Sequence, residues 1–391
     1  MASIAAAYPF IEVNIDTSAL QPVAQRSPGV IAVVGDTGGA GAAAANKPFV
    51  VETLSDAAQL FATVAANGAV TPTSLFSSLQ LAMLQDPKPS KIYGVKLDNA
   101  SKDWDAALGV LDSVDDVDFV SLANVVDASL LLKLKQHAEN NSAQGQKRIA
   151  VAMVDPTIAR TTTYAADLLT KLTGAPNLQS SVSRIVMIGA RGAVNDAGQQ
   201  GDAATAAMAA IAGYAPQVSM VLKRIRGITM PRAAQYTASE IKALSEGNVI
   251  PIIQPSLIVG GGFYFGEGRL FTSDASQLYI DLVRVLDEID FSLKAGLIGS
   301  IGDARITQAG LALVRSRIHG ILGPLKSAAV IDDYAIRIPV ADILAVPTST
   351  WSAGDSATVT NARSARSVDV FVSITYGPAV HHLKVTLQPK F

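Results

Sequence analysis

Short apolar runs of four to six residues recur along the first two thirds of the chain, with helical stretches between them. The runs are 30–34, 92–97, 119–122, 149–154, 185–188 and 249–253, and helical stretches are predicted from Ser55, over 128–139 and over 202–212. Runs of this length are typical of buried strands, and their alternation with helices indicates helices layered on a sheet. We therefore predict a layered α/β domain for this part of the chain.

The pattern changes after Gly268, where long amphipathic segments replace the short apolar runs. Ser273 or Asp274 is placed to cap a long helix, and another helix is predicted over 307–321. Strands are expected to dominate the remainder. The predicted divisions are an arm over 1–26, an α/β domain over 27–267, an α+β domain over 268–366, and terminal strands with a second arm over 367–391.

Both ends of the chain alternate apolar and polar residues with the period of a half-buried strand. The apolar positions are Ile11, Val13 and Ile15 at one end, and Leu383, Val385 and Leu387 at the other. Pro22 and Pro28 interrupt the polar stretch that separates the first strand from the body. A lone strand gains about 0.5 to 1.5 kcal/mol per hydrogen bond, whereas ordering it costs about 1 to 2 kcal/mol per residue. An isolated arm of this kind is therefore expected to be disordered unless it docks on an exposed sheet edge.

The composition excludes several classes of protein. Charged residues make up only 16% of the chain and hydrophobic residues 49%, which suits either burial against neighbours or a large Ala-rich core. A net charge of -2 gives no general attraction to nucleic acid or to anionic membranes. The first 25 residues lack Lys and Arg, and no apolar run reaches about 18 residues, so neither a signal peptide nor membrane insertion is expected. The absence of cysteine excludes disulfides and thiolate metal sites, and is compatible with a reducing cytoplasm.

The loop from Gly35 to Gly41 follows a predicted strand, where a phosphate-binding loop would lie. Gly39, Gly41 and Ala44 match the G-x-G-x-x-A pattern, but Lys47 precedes a proline and not the Ser or Thr that a P-loop requires. An extended segment also separates this loop from the next predicted helix. An α/β nucleotide-binding enzyme is therefore kept as the alternative interpretation.

Other reactive side chains do not form a recognised site. Four aspartates lack the spacing of a calcium loop, and His381 and His382 would point to opposite faces of a strand. The aspartates are Asp112, Asp115, Asp116 and Asp118. No nucleophile elbow is found either. We expect no catalytic residue, no metal and no cofactor.

Several segments, taken together and in order, resemble the contractile tail sheath family of myophages, R-type pyocins and type VI secretion machines. The segments are 27–35, 48–61, 244–253, 268–271, 280–290, 368–376 and 383–387. The resemblance covers nearly the whole chain. It implies an α/β outer domain and an α+β inner domain, with extended strand arms at both termini.

The resemblance also implies a structural subunit and not an enzyme. Such subunits form hexameric rings stacked around an inner tail tube protein, and their contraction drives the tube through a target cell envelope. Terminal strands from neighbours would complete a small sheet in the inner domain. The implied partners are copies of the chain itself, the tube protein, the baseplate and the tail terminator, with no direct nucleic acid contact. The implied location is the virion tail, assembled in the bacterial host cytoplasm, and a static shell or tube protein is a further alternative.

Positive charge concentrates near the predicted second helix of the inner domain. Arg315, Arg317 and Lys326 are the candidates for contact with the tube. Because Arg315 and Arg317 lie about 200 degrees apart on a helix, both cannot face the same surface. One of them is expected to pair with a carboxylate.

Overall fold

A computed structural model describes residues 29–381, and these contain thirteen strands and eleven α-helices. The strands are β1 Val30–Gly35, β2 Pro48–Val50, β3 Thr63–Val64, β4 Val70–Thr71, β5 Lys91–Lys96, β6 Phe119–Leu122, β7 Ile149–Met153, β8 Ile185–Gly189, β9 Arg224–Ile225, β10 Ile250–Ile253, β11 Phe263–Phe265, β12 Asp333–Arg337 and β13 Phe371–Thr375. The helices are α1 Leu54–Phe61, α2 Ser74–Met83, α3 Trp104–Gly109, α4 Ala128–Ala143, α5 Tyr164–Thr173, α6 Ala203–Gly213, α7 Ala238–Glu246, α8 Ile280–Leu297, α9 Gln308–Ser327, α10 Pro339–Leu344 and α11 Ala353–Ala365.

Nine of these strands form one sheet in the order β2-β5-β1-β6-β7-β8-β10-β11-β9. Its six central strands are parallel, whereas β2, β11 and β9 are antiparallel to their neighbours. Because central parallel strands are covered on both faces, they appear in the sequence as continuous apolar runs. The predicted mixed α/β architecture is therefore confirmed.

Two apolar cores cover the two faces of this sheet. On β1, Ile31 and Val33 face one core, and Val30, Ala32 and Val34 face the other. Helices α1, α2 and α6 contribute to the first core, and α3, α4, α5 and α7 contribute to the second. Alternation of side chains along each strand thus divides every buried run between the two layers.

Helix α6 is the most deeply buried helix of the described chain, because ten consecutive residues from Ala203 to Ala212 are buried. Seven of the ten are alanine, so neighbouring elements can pack closely against every side of the helix. Asp202 caps it by accepting the N–H of Thr205 at 2.9 Å. At its other end, a Cβ on Gly213 would lie 1.9 Å from the carbonyl oxygen of Pro87, so only glycine fits there.

The described chain divides into two compact units. The larger comprises residues 29–291, 322–337 and 371–381, and the smaller comprises 292–321 and 338–370. Within the smaller unit, Ile318 and Val359 are almost completely buried. The predicted boundary at residue 268, with an outer and an inner domain on either side, stays a prediction.

The predicted helix start at Ser273 or Asp274 is wrong, because α8 begins at Ile280. Asp274 instead caps a single 3-10 turn. The N–H of Leu270 donates to the carbonyl oxygen of Leu278 at 2.8 Å, so the two segments pair antiparallel before the helix begins. This pairing uses backbone groups that a longer helix would need.

The expectation that strands dominate the chain after α9 is also wrong, because α10 and α11 lie between β12 and β13. Helix α11 contains Gly and several Thr, Ser and Asn residues, which favour helices weakly. Its local signal is a capping box, in which Asp355 N–H donates to Ser352 Oγ at 3.1 Å and Ser352 N–H donates to Asp355 Oδ2 at 2.9 Å. The predicted strand over 368–376 shortens to Phe371–Thr375, which is the length of its partner strand.

Candidate functional site

Strands β12 and β13 of the larger unit form a separate antiparallel sheet of two strands. Tyr334 pairs with Ile374, and Ile336 pairs with Val372; these four side chains are half-buried. The residues between them, including Ser373, are exposed. The sheet therefore has one apolar face and one solvated face.

Both outer edges of this small sheet are open within the part of the chain that the structure describes. A two-stranded sheet is only marginally stable in water, and three or more strands are needed for an independently stable one. An open edge also presents unpaired N–H and C=O groups to an incoming strand. The described sheet thus has room for a further strand at either edge.

The predicted arm residues cannot be placed on this sheet, because they fall outside residues 29–381. These residues are Ile11, Val13, Ile15, Leu383, Val385 and Leu387. The assignment of both arms stays a prediction.

The carboxyl-terminal end of the described chain is held by contacts that sequence reasoning missed. Tyr376 follows β13 directly, and its hydroxyl donates to Asp281 Oδ2 at 2.6 Å. His381 Nε2 lies 2.8 Å from the Ser219 hydroxyl, and its Nδ1 lies 3.6 Å from Glu267 Oε1. The sequence marks His381 only as a member of a histidine pair.

Two of the three predicted tube-facing residues lie in the smaller unit. Arg315 Nη2 donates to Asp342 Oδ1 at 3.0 Å, and Arg317 donates to the Ser300 hydroxyl. Both members of the Arg315 pair are exposed. Arg315 thus has a carboxylate partner, and the role of these residues toward a tube stays a prediction.

The third candidate, Lys326, lies in the larger unit and donates to Asp333 Oδ1 at 2.6 Å. This hydrogen bond raises the pKa of Lys326 and lowers the pKa of Asp333. Both side chains are exposed, so the pair contributes little to stability.

The loop from Gly35 to Gly41 lacks the geometry of a phosphate-binding loop. The N–H of Gly38 donates to Asp36 Oδ1 at 2.8 Å, and the N–H of Ala40 donates to the carbonyl oxygen of Thr37 at 3.1 Å. Lys96 Nζ donates to the carbonyl oxygen of Gly41 at 3.0 Å. A Cβ on Gly41 would lie 2.1 Å from the Leu60 carbonyl oxygen, so this glycine serves packing against α1. A phosphate-binding loop needs free N–H groups, whereas this loop turns its carbonyl oxygens toward the lysine.

The acidic cluster consists of structural partners. Asp118 Oδ2 accepts N–H groups from Gly29 and Val30, and Asp116 accepts from Lys91. Asp112 accepts from the Asn141 amide. Across residues 29–381, no group of three or more His, Asp or Glu side chains could hold a metal ion. Among the helices described, none is long and apolar enough to cross a membrane.

No family model matches the chain, and no curated protein matches it. Several solved structures match almost its whole length. The PVC sheath complex of an extracellular contractile injection system, in its contracted state, aligns with a TM-score of 0.69 and 13% identity over 99% of this chain and 98% of that chain.

Two further sheath structures agree with this match. The anti-feeding prophage helical sheath in its contracted state aligns with a TM-score of 0.66 and 12% identity over 98% of this chain and 99% of that chain. The crystal structure of a sheath tail protein from Desulfitobacterium hafniense aligns with a TM-score of 0.57 and 12% identity over 84% of this chain and 93% of that chain. The chain therefore has the fold of contractile sheath proteins, as the resemblance in its sequence predicted.

Proposed function

We propose that this protein is the structural subunit of a contractile sheath, which polymerises as stacked hexameric rings around an inner tube. Contraction of the polymer would drive the tube through a target cell envelope. The observation that carries the proposal is the match of almost the entire chain to sheath structures, two of which are contracted assemblies. The proposed location is the tail of a phage or a related injection particle.

The small sheet formed by β12 and β13 supports polymerisation through strand exchange. Its two edges are open within the described chain, and one of its faces is apolar. A strand from a neighbouring copy would gain ladder hydrogen bonds there and would bury its alternate apolar residues. Ile11, Val13 and Ile15 at one terminus, and Leu383, Val385 and Leu387 at the other, are the residues proposed for this role.

Many such links in a ring act together, because each bound arm raises the effective concentration of the next. Covalent continuity between each arm and its own subunit would keep neighbours joined while other contacts change. A polymer that changes length needs connections of this kind. In this scheme the α+β domain over 268–366 lies inside and the α/β domain over 27–267 lies outside.

The proposed contact with the tube is electrostatic and weak. The ion pairs of Arg315 with Asp342 and of Lys326 with Asp333 are both exposed. Exposed pairs contribute about 0 to 1 kcal/mol each and are screened by salt. These cations can therefore exchange carboxylate partners at little cost, which suits contacts that must release together during contraction.

The nucleotide-binding alternative is disfavoured by the loop from Gly35 to Gly41, in which the N–H groups of Gly38 and Ala40 already have acceptors. We also propose that the chain has no enzymatic activity and that the baseplate and tail terminator are further partners. The structures it matches include an anti-feeding prophage baseplate, with a TM-score of 0.65.

Electron microscopy of the purified polymer tests the proposed function directly. We expect two forms of one filament, a long form that contains a tube and a shorter, wider form without it. A polymer of one fixed length would instead identify a static shell or tube protein. Tight binding of a nucleotide to the unassembled chain would favour the enzyme alternative.

A further inference from the structure

The segment between β13 and residue 381 is held at its two ends and exposed between them. Gly377, Pro378 and Ala379 are exposed, and Val380 keeps 80% of its side chain in solvent. The segment thus contributes little apolar burial to the larger unit. Its position depends on the side chains at its two ends, Tyr376 and His381.

The first attachment joins Tyr376 to the beginning of α8. Its hydroxyl donates to Asp281 Oδ2 at 2.6 Å, and the Asp281 side chain is buried. Partial burial and this hydrogen bond raise the pKa of Tyr376, so the phenol keeps its proton over the whole working range of pH. A hydrogen bond to a buried carboxylate is shorter and stronger than one between neutral groups.

The second attachment surrounds His381 on three sides. The Ser219 hydroxyl lies 2.8 Å from its Nε2, and Glu267 Oε1 lies 3.6 Å from its Nδ1. The ring of Tyr279 meets the imidazole edge-on at 5.0 Å between centroids. Arg269 in turn lies 3.6 Å from Glu267, which keeps this carboxylate in place. These partners come from three separate segments of the larger unit.

We propose that Tyr376 and His381 are positioning residues that fix the position and the direction of the chain at residue 381, from which the predicted last strand continues. This inference rests on the proposed function, in which the last strand is presented to a neighbouring copy. The two attachments would decide where that strand can reach.

The second attachment fixes the end of the described chain. Without it, the exposed residues 377–380 would be joined to the larger unit through Tyr376 alone. A strand that continues from a fixed residue samples a smaller volume, and this raises its effective concentration at the edge of a neighbour's sheet.

Spin labels test the inference without any requirement for assembly. The chain has no cysteine, so Ala275→Cys and Val380→Cys, both at exposed positions, can be labelled specifically with nitroxides in the dispersed full-length protein. We expect the double variant Tyr376→Phe and His381→Ala to widen the distance distribution by about 12 Å, the end-to-end distance of the five residues 376–380 once both attachments are lost. His381→Gln, whose amide can replace the contact of Nε2 with Ser219, is expected to keep the parent distribution. Thermal unfolding is the control: Tyr376→Phe removes the donor to the buried carboxylate of Asp281 and should lower the midpoint, but each variant should stay folded at the temperature of the distance measurement.

Polymer formation by the same unlabelled variants gives the second readout. Slower filament growth by the double variant, together with the wider distribution, supports the inference. An unchanged distribution overturns it, and so does normal filament growth by a variant whose distribution has widened. If the parent chain itself forms no filaments, the proposed function fails, and the distance measurement alone decides whether the two residues fix the chain at residue 381.

Discussion

The carboxylate of Asp118 accepts the backbone N–H of Gly29 at 2.8 Å, where the described chain enters its first strand. The same oxygen accepts the N–H of Val30 at 2.9 Å. Gly29 has φ of +94°, and a Cβ there would lie 2.1 Å from the carbonyl oxygen of Ala212. The junction between the body and the preceding residues is therefore fixed by close backbone contact and by a charged acceptor.

Gly29→Ala should destabilise the larger unit by more than about 2 kcal/mol, because it adds a backbone clash to an unfavourable φ. The matched control is Gly38→Ala, which has φ of +60° with nothing within 4 Å of the added Cβ. The control substitution should lower the free energy of unfolding by only about 1 kcal/mol. Urea unfolding of the two variants measures the difference. Equal costs would contradict the packing of Gly29 against α6.

Glu240 should contribute stability that disappears in acid. Burial alone would raise the pKa of its carboxyl, but hydrogen bonds from Arg191 and Thr237 lower it to about 2, from 4.5. A depressed pKa means that the contribution is complete above about pH 4.5 and is lost as the pH falls toward 2. We expect Glu240→Gln to lower the free energy of unfolding by about 2 to 3 kcal/mol at neutral pH and by much less at pH 2.

Unfolding free energies of this variant and its parent, measured between pH 2 and pH 7, check the prediction. Asp86→Asn is the control, because Asp86 pairs with Arg226 on the surface, where both side chains are exposed. Its effect should stay within about 0.5 kcal/mol at every pH. A difference for Glu240→Gln that does not change with pH would mean that the ion pair with Arg191 is not its source.

Ile374→Asp should reduce polymer formation much more than Ser373→Asp. Ile374 lies on the half-buried face of the small sheet, opposite Tyr334, whereas Ser373 is exposed on the other face. A charge on the apolar face opposes the addition of a further strand. Sedimentation measures the polymer, and circular dichroism checks that both variants stay folded. Similar yields from the two variants would argue against the small sheet as the docking site.

Substitutions in the predicted last strand should follow the same alternation. We expect Leu383→Asp and Val385→Asp to block assembly, and Lys384→Asp to have little effect, because the first two residues are predicted to face the sheet. The filament yields of the three variants, measured by electron microscopy, test this prediction. Equal effects at all three positions would show that this segment does not dock as a strand.

Arg315→Glu combined with Lys326→Glu should give a sheath that polymerises but forms only the short state or lacks a tube. The two introduced carboxylates would then repel an acidic tube surface, while the strand arms would still join the subunits. Arg363→Glu is the control, since Arg363 lies on α11 of the smaller unit and is exposed. Extended particles in normal yield from the double variant would refute the tube-facing assignment.

Local periodicity was sufficient to predict most of the large sheet. Residues 119–122 were predicted as a strand and form β6 with the same bounds, and the run that begins at Val30 forms β1. A strand buried on both faces has no polar residue to interrupt its pattern, so its limits are visible in the sequence. Helix α11 was missed because its residues favour helices weakly, and only the capping box of Ser352 and Asp355 marked its start.

The order of strands and the attachments at the two chain junctions were decided by tertiary structure. Asp118 lies 89 residues from Gly29, Asp281 lies 95 residues from Tyr376, and Ser219 lies 162 residues from His381. A sequence pattern indicates which residues of a segment are buried, which are exposed, and with what period they alternate. It carries no information about which distant hydrogen-bonding group will satisfy a polar side chain, because that choice is made only when the packed layers bring the two together.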